Sequence, residues 1–259
     1  MIYQLDSSNI LFGPGEGSTS KNNVILSSSA KFSQQYDLLI FVDSRGLERE
    51  PGLGLKNTWA YKIIRSSNKN QSVLLVSRPK NITTFATLIN FLQLNNISYN
   101  KLITNLGFVD FTPKKKSIID DMERQLGSLE SKGFKLEKLE KYKLANNSLE
   151  SLYSIIYHKK LLDYISNTLH QHCIYKNFFI NTVLVDKSVS FSRKRPESFF
   201  SKIFSTNQAI TKITKLHSNN VLIDISTKDI QTFDAVHYNK IGHKNIFNII
   251  NEALIKDND

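Results

Sequence analysis

Short, continuously apolar runs separated by helical patterns constrain the fold of this chain more than any other feature. Five such runs occur, at residues 38–42, 72–76, 101–106, 178–183 and 221–225. Runs of this kind are typical of strands that are buried on both faces of a parallel sheet. Apolar residues at helical spacing follow the second and third runs, and a further helical pattern covers 245–255. The alternation predicts an α/β fold with a doubly wound parallel sheet between two layers of helices.

Length and composition favour a single domain over residues 1–259. The chain has 259 residues, of which 40% are hydrophobic, so it is long enough to bury one large core. Between about 130 and 171 the pattern is helical and charged, which predicts a helical insertion or arm. Packing against the sheet is the simplest role for this segment, and a dimer contact or a lid over a site are the alternatives. The oligomeric state does not follow from the sequence.

Cysteine content and hydropathy bear on the compartment. Cys173 is the only cysteine, so no internal disulfide can form. Residues 1–9 lack a basic segment and lead into no apolar stretch, which predicts that there is no signal peptide. No uninterrupted run of about 18 apolar residues occurs, which argues against a membrane-spanning helix. We therefore expect a soluble, cytoplasmic protein.

The net charge of +11 favours polyanionic partners. Nucleic acid, an anionic glycan and a phospholipid surface all fit such a charge, and so does a generally lysine-rich composition with no binding role. The basic runs at 114–116 and 193–195 have no interleaved aromatic residues of the kind that stack on bases. We therefore expect no nucleic-acid partner, and an anionic glycan stays open as a partner.

Polar residues follow two of the predicted strands and precede the last helix. Ser44 comes directly after the first run, the segment 107–110 follows the third, and Asp234 and His237 lie three residues apart before the terminal helix. Ligands of open α/β sheets bind at the carboxyl ends of the strands, where these loops converge. A serine hydroxyl becomes a nucleophile when an imidazole takes its proton and a carboxylate orients that imidazole. A helix cap at Ser44 and ordinary loop polarity at the Asp/His pair are the alternative interpretations.

Metal binding is not expected. His170 and His172 lie two residues apart with Cys173 beside them, but side chains at this spacing point apart on a helix, and no second cluster completes a tetrahedral site. The sequence therefore predicts neither a metal nor another cofactor.

Three segments resemble the motifs of the SGNH (GDSL-like) hydrolases, in the order that this family has them. The segment 41–44, Phe-Val-Asp-Ser, is similar to the nucleophile segment, and 105–110, Asn-Leu-Gly-Phe-Val-Asp, is similar to the Gly-x-Asn-Asp segment. The segment 234–237, Asp-Ala-Val-His, with Gly242 behind it, resembles the terminal Asp-x-x-His segment. The resemblance spans about residues 36 to 255.

The resemblance implies a flavodoxin-like three-layer fold and ester hydrolysis or acyl transfer, often on acetylated carbohydrates or lipids. Carried over by motif, Ser44 is the nucleophile, His237 the general base and Asp234 its orienting partner. Gly107 and Asp110 are carried over as oxyanion or substrate residues.

The chain departs from the family pattern at three places. Val42 stands where the family has glycine before Asp-Ser. The stretch 77–84 lacks the glycine whose N–H helps to hold the oxyanion, and Asn81 and Arg78 are its nearest substitutes. Val109 stands at the position of the asparagine whose amide donates to the oxyanion, and a valine side chain cannot donate.

Two hypotheses from different classes follow. The first is an acyl-ester hydrolase or O-acyltransferase that acts on an O-acetylated carbohydrate of a surface polysaccharide. The second is a catalytically silent module of the same fold that binds a polysaccharide or assists a partner enzyme, and Val109 favours it. A basic nucleic-acid-binding protein is the third alternative, and weak, salt-insensitive binding would exclude it.

Overall fold

The computed structural model describes residues 11–12, 24–27, 33–47, 49–67, 70–77, 82–130, 141–144, 152–155, 157–185 and 197–257. Within these residues the chain forms ten strands: β1 (Leu11–Phe12), β2 (Val24–Ser27), β3 (Gln35–Val42), β4 (Val73–Ser77), β5 (Ser98–Thr104), β6 (Lys114–Lys115), β7 (Lys141–Leu144), β8 (Leu152–Ile155), β9 (Cys173–Ile180) and β10 (Asn220–Ile223). The same residues form seven helices: α1 (Trp59–Ser66), α2 (Phe85–Asn95), α3 (Phe108–Phe111), α4 (Lys116–Glu130), α5 (Lys159–His172), α6 (Glu197–Thr214) and α7 (Lys240–Lys256). None of these helices is both long enough and apolar enough to cross a bilayer.

The main sheet has the strand order β1-β2-β4-β3-β5-β9-β10. Its last five strands are parallel, β2 runs antiparallel to β4, and β1 pairs in parallel with β2. After β3 the chain moves to one side to form β4 and then to the other side to form β5. The carboxyl ends of β3 and β5 therefore flank the point at which the strand order reverses, where open α/β sheets bind their ligands.

Alternate residues of β3 point to opposite helical layers. Leu39 and Phe41 pack with α2, α4, α5 and α6 in one apolar cluster. Leu38, Ile40 and Val42 pack with α1 and α7 in the other. Both faces of the strand are buried, which explains why the run shows no alternation of polar residues. The predicted three-layer α/β fold with a doubly wound parallel sheet is confirmed.

The segment that was predicted as a helical insertion has a different structure in its first part. Strands β7 and β8 lie within it and pair antiparallel, and β6 joins them in a three-stranded sheet. Within this range the described residues form the strands β7 and β8 and the helix α5. Short apolar runs fit either period, and packing decided here, because Ile155 of β8 is buried in the same cluster as α4 and α5. Residues 131–140, 145–151 and 156 lie outside the described residues.

Candidate active site

Ser44 lies in a tight turn at the carboxyl end of β3. Asp43 caps the turn, because its Oδ1 accepts the Arg45 N–H at 2.8 Å and its carbonyl oxygen accepts the Gly46 N–H at 3.0 Å. A side chain at Gly46 would not fit, since a Cβ there would lie 2.5 Å from a methyl carbon of Val42. The turn begins directly after the strand, and it leaves the Ser44 side chain half-buried at the carboxyl end of the sheet.

A buried ion pair holds this turn. The Arg45 Nε donates to both carboxylate oxygens of Asp43 at 3.1 Å, and Nη2 donates to Oδ2 at 2.8 Å. The third nitrogen, Nη1, donates to Thr182 Oγ1 at 2.7 Å in the loop after β9. Burial alone would lower the pKa of Arg45, but the adjacent Asp43 carboxylate raises it, so the guanidinium stays charged. The pair ties the two residues on either side of Ser44 to the neighbouring loops.

Asn105 connects the turn to the end of β5. Its Oδ1 accepts the Asp43 N–H at 2.9 Å, its Nδ2 donates to Asp43 Oδ1 at 3.1 Å, and its carbonyl oxygen accepts from Arg45. The sequence analysis assigned no role to Arg45, Asn105 or Thr182. Each of them follows a strand by one to three residues, and this position was the signal that could have identified them.

The loop 234–237 forms a compact turn around a carboxylate. Asp234 Oδ1 accepts the N–H groups of Val236 at 3.1 Å and of His237 at 2.8 Å, and Oδ2 lies 2.9 Å from His237 Nδ1. Ala235 has a φ of +68°, a left-handed conformation that an alanine seldom adopts. The backbone at Ala235 is therefore strained, and strain of this kind clusters at functional sites.

His237 brings this loop to the serine. Its Nε2 lies 2.9 Å from Ser44 Oγ, across 193 residues of sequence. If Nδ1 carries the proton and donates to Asp234, the Nε2 lone pair is free to accept the Ser44 hydroxyl. The structure therefore joins Ser44, His237 and Asp234 in a continuous chain of hydrogen bonds. The imidazole is largely shielded from water, with 17% of its side chain exposed.

Gly107 and Asp110, the predicted oxyanion or substrate residues, bond to each other. The Gly107 N–H donates to Asp110 Oδ2 at 3.2 Å, in a backbone conformation with a φ of +108°. Asp110 Oδ1 accepts the Phe85 N–H at 3.1 Å and the Tyr157 hydroxyl at 2.8 Å. Burial raises the pKa of Asp110 to about 6. This carboxylate joins α2, α3 and the start of α5, so both groups already have partners inside the protein.

Three further groups were predicted to contribute to the oxyanion site: the Asn81 and Arg78 side chains and the Ser44 N–H. Asn81 and Arg78 lie outside the described residues. The Ser44 N–H donates to no group within the part of the chain that the structure describes, so it is available to a ligand.

Val109 belongs to an apolar cluster beside the loop 234–237. The cluster contains Phe108 of α3, Phe199 and Ile203 of α6, and Ala235 and Val236 of the loop, and Val109 packs against it. The cluster therefore fixes the position of α6 relative to the residue that precedes His237.

His243, in the first turn of α7, is buried. Its Nδ1 accepts the Trp59 N–H at 3.2 Å, so it caps the first turn of α1. Burial and the nearby Lys62 ammonium lower the pKa of His243 to about 3.

Gly242, before His243, approaches the backbone so closely that a Cβ would lie 2.1 Å from the Gln231 carbonyl oxygen.

Comparison with known proteins gives a likeness in structure only. No protein-family model matches the sequence, and no curated protein matches it. The structure is similar to that of a carbohydrate esterase family 2 enzyme with a carbohydrate-binding domain from Corynascus thermopiles (Myceliophthora fergusii), with 11% identity, a TM-score of 0.52 and coverage of 89% of this chain and 68% of that chain. An aryl esterase from M. smegmatis has a TM-score of 0.45 and 10% identity, over 86% of this chain and 99% of that chain. The first likeness shows that this chain shares the α/β fold of that enzyme.

Proposed function

We propose that this chain is a serine esterase of the SGNH type that cleaves or transfers an acyl group, with an O-acetylated carbohydrate as its substrate. The observation that carries the proposal is the chain of hydrogen bonds from Ser44 through His237 to Asp234, with two contacts of 2.9 Å. It lies at the reversal of strand order, where ligands of this fold class bind. The carbohydrate esterase with a similar fold supports the substrate class.

In the first half of the proposed reaction, Ser44 Oγ attacks the carbonyl carbon of the ester while His237 Nε2 takes the hydroxyl proton. The carbonyl electrons move onto oxygen, and the Ser44 N–H stabilises the resulting oxyanion. When this intermediate collapses, the imidazolium returns the proton to the leaving alcohol oxygen, and the acyl group stays on Ser44. Asp234 holds the imidazole in one tautomer and stabilises its positive charge.

In the second half, a hydroxyl group attacks the acyl carbon of the acyl-serine, and His237 again accepts the proton. Water as the attacking group gives hydrolysis, and a sugar hydroxyl gives O-acyl transfer. The proton then passes from the imidazolium to Ser44 Oγ, which restores the free serine.

A second candidate function is a silent carbohydrate-binding module of the same fold. Val109, which cannot donate, and the Gly107 N–H, which is bonded to Asp110, favour this alternative. Losing one oxyanion donor typically costs about a hundred- to a thousandfold in turnover. The proposed enzyme would therefore be slow unless a group outside the described residues completes the oxyanion site.

The two functions are separated by assaying a panel of short-chain aryl esters and acetylated glycans. We expect turnover by the wild type and background rates for Ser44→Ala, because the acyl-serine cannot form without the hydroxyl. Ser205→Ala removes an exposed hydroxyl on α6 and serves as the matched control with unchanged turnover. No turnover of any ester by a folded wild-type protein would favour the silent module.

A further inference from the structure

A cleft opens two strands away from Ser44, beside α6. It has a volume of about 390 Å³ and lies at the carboxyl ends of β9 and β10, where Asn181 and Asp224 follow the strands. Volumes of this size are typical of small-molecule sites. The cleft involves none of the residues that surround Ser44 and His237, so the proposed chemistry does not account for it.

One wall of the cleft is a face of α6. Phe204, Gln208 and Lys212 follow one another at intervals of four residues, which places their side chains on one side of the helix, and Lys215 comes directly after the end of the helix. Phe204 is 56% exposed, which is high for a phenylalanine side chain. The Gln208, Lys212 and Lys215 side chains form no hydrogen bond or ion pair with other described residues. This wall thus offers an apolar ring, an amide and two ammonium groups to a ligand.

The opposite wall centres on the Asp224 carboxylate. Oδ1 accepts Asn181 Nδ2 at 2.7 Å, the Ser226 N–H at 2.9 Å and the Ser226 hydroxyl at 2.6 Å. Oδ2 accepts no hydrogen bond within the described part of the chain. Desolvation would raise the pKa of Asp224, but the donors from Ser226 and Asn181 lower it, so the carboxylate stays ionised. Its orientation is fixed, and one oxygen is available as an acceptor.

These groups match the chemistry of a sugar chain with acidic substituents. A sugar ring has an apolar face that can lie on an aromatic ring, and its hydroxyls need both donors and acceptors. Lys212 and Lys215 attract negative charge, while a single ionised Asp224 disfavours a polymer that carries a phosphate at every unit. We propose that the cleft binds an anionic segment of the glycan whose ester Ser44 cleaves. This proposal rests on the function proposed above.

The cleft is within reach of the serine along one substrate chain. Strands β3, β5, β9 and β10 are neighbours in this order, so the carboxyl ends of β9 and β10 lie about 10–15 Å from that of β3. Asn181 lines the cleft, and the next residue, Thr182, accepts the hydrogen bond from Arg45 beside Ser44. A glycan that occupies the cleft therefore places an ester on a nearby sugar at the serine.

Binding is tested with trigalacturonate as the anionic probe and maltotriose as the neutral one, by calorimetry at low salt. We expect trigalacturonate to bind about tenfold or more tightly than maltotriose, because only the former carries carboxylates for the two lysines. Lys212→Gln combined with Lys215→Gln should weaken trigalacturonate binding about tenfold. Phe204→Ala should weaken the binding of both sugars, because both use the ring.

Two control variants match these changes elsewhere on the surface. Lys244→Gln combined with Lys256→Gln removes the same charge from α7, and Ile255→Ala removes an apolar side chain that is 53% exposed. Neither should change the affinity for trigalacturonate. The proposal is overturned if the wild type binds no trigalacturonate, or if the control variants lose as much affinity as the cleft variants. It is also overturned if a short oligouridylate binds the cleft more tightly than trigalacturonate, since that result would indicate a nucleic-acid site.

A parallel aryl acetate assay separates this proposal from the esterase proposal. Ser44→Ala should abolish aryl ester turnover and keep trigalacturonate binding. The cleft variants should weaken trigalacturonate binding and keep aryl ester turnover. Sugar binding without any esterase activity would contradict the proposed function alone. Esterase activity without sugar binding would contradict the cleft alone.

Discussion

The guanidinium of Arg45 donates to both carboxylate oxygens of Asp43, and these two residues on either side of Ser44 are each 1% exposed. Removing one member of a buried ion pair leaves the other charge without compensation, at a cost of about 3–5 kcal/mol. We expect Arg45→Ala to lower the free energy of unfolding by about this amount, measured by urea denaturation.

Combining Arg45→Met with Asp43→Asn tests the cause. The double variant should lose less free energy of unfolding than Arg45→Met and Asp43→Asn lose in sum, because neither buried charge is then left alone. Additive losses would mean that the two side chains do not interact in solution.

A fluorophosphonate probe tests the proposed nucleophile directly. Such a probe should label Ser44, because in the proposed mechanism His237 activates the hydroxyl. His237→Ala should abolish labelling, and Asp234→Asn should slow it by disturbing the tautomer and orientation of the imidazole. Labelling is followed by intact mass and by peptide mapping. Persistent labelling of Ser44→Ala would mean that the probe reacts elsewhere.

Replacing Val109 by asparagine tests the oxyanion site. In the alignment with the SGNH motif, an amide at this position donates to the developing negative charge, so Val109→Asn should raise kcat for aryl acetate hydrolysis by about tenfold with little change in KM. Val109→Ala is the control, because it removes the same packing against the apolar cluster without adding a donor. Equal losses of kcat in both variants would show that Val109 acts only through packing.

A methyl group at Gly242 should disturb the loop that carries His237. Its Cβ would lie 2.1 Å from the Gln231 carbonyl oxygen, which is backbone and must move. Because overpacking typically costs about 1–3 kcal/mol, Gly242→Ala should lower the free energy of unfolding by that much and reduce ester turnover.

Gly127→Ala is the matched control for this change. Gly127 lies within α4, and nothing stands within 4 Å of a Cβ there. Alanine favours a helix by about 1 kcal/mol over glycine, so this variant should be slightly more stable than the wild type. A destabilisation equal to that of Gly242→Ala would point to a general intolerance of the change.

His243 should make the protein sensitive to acid. Its pKa is lowered to about 3 in the folded state, so the unfolded chain takes up a proton at a higher pH than the folded chain. The stabilising contribution of the neutral imidazole is therefore complete above about pH 6.5 and is lost as the pH falls toward 3. The loss is about 1.4 kcal/mol per pH unit in this window.

The measurement is the free energy of unfolding of the wild type and of His243→Gln between pH 7 and 4. The wild type should lose stability more steeply than the variant, since glutamine has no proton to take up. Parallel curves would show that His243 does not contribute to the acid sensitivity.

Local patterns in the sequence predicted the layers of the fold. The run 38–42 is apolar at every position because both faces of β3 are covered, and this pattern alone indicated a buried parallel strand. The turn after it and the loop 234–237 were placed at the carboxyl edge because strands of a parallel sheet end together. Residues 141–144 and 152–155 have short apolar runs that fit a helix as well as a strand, and in the structure they form the paired strands β7 and β8.

The sequence by itself determined that the run 38–42 is a buried strand and that Ser44 and the segment 107–110 follow strands, because these features depend on spacing within a few residues. Only the tertiary structure decided which of those groups meet. Ser44 and His237 are 193 residues apart, and Arg45 and Thr182 are 137 apart. Such contacts depend on strand order and on helix packing across the sheet, and no local periodicity encodes either of them.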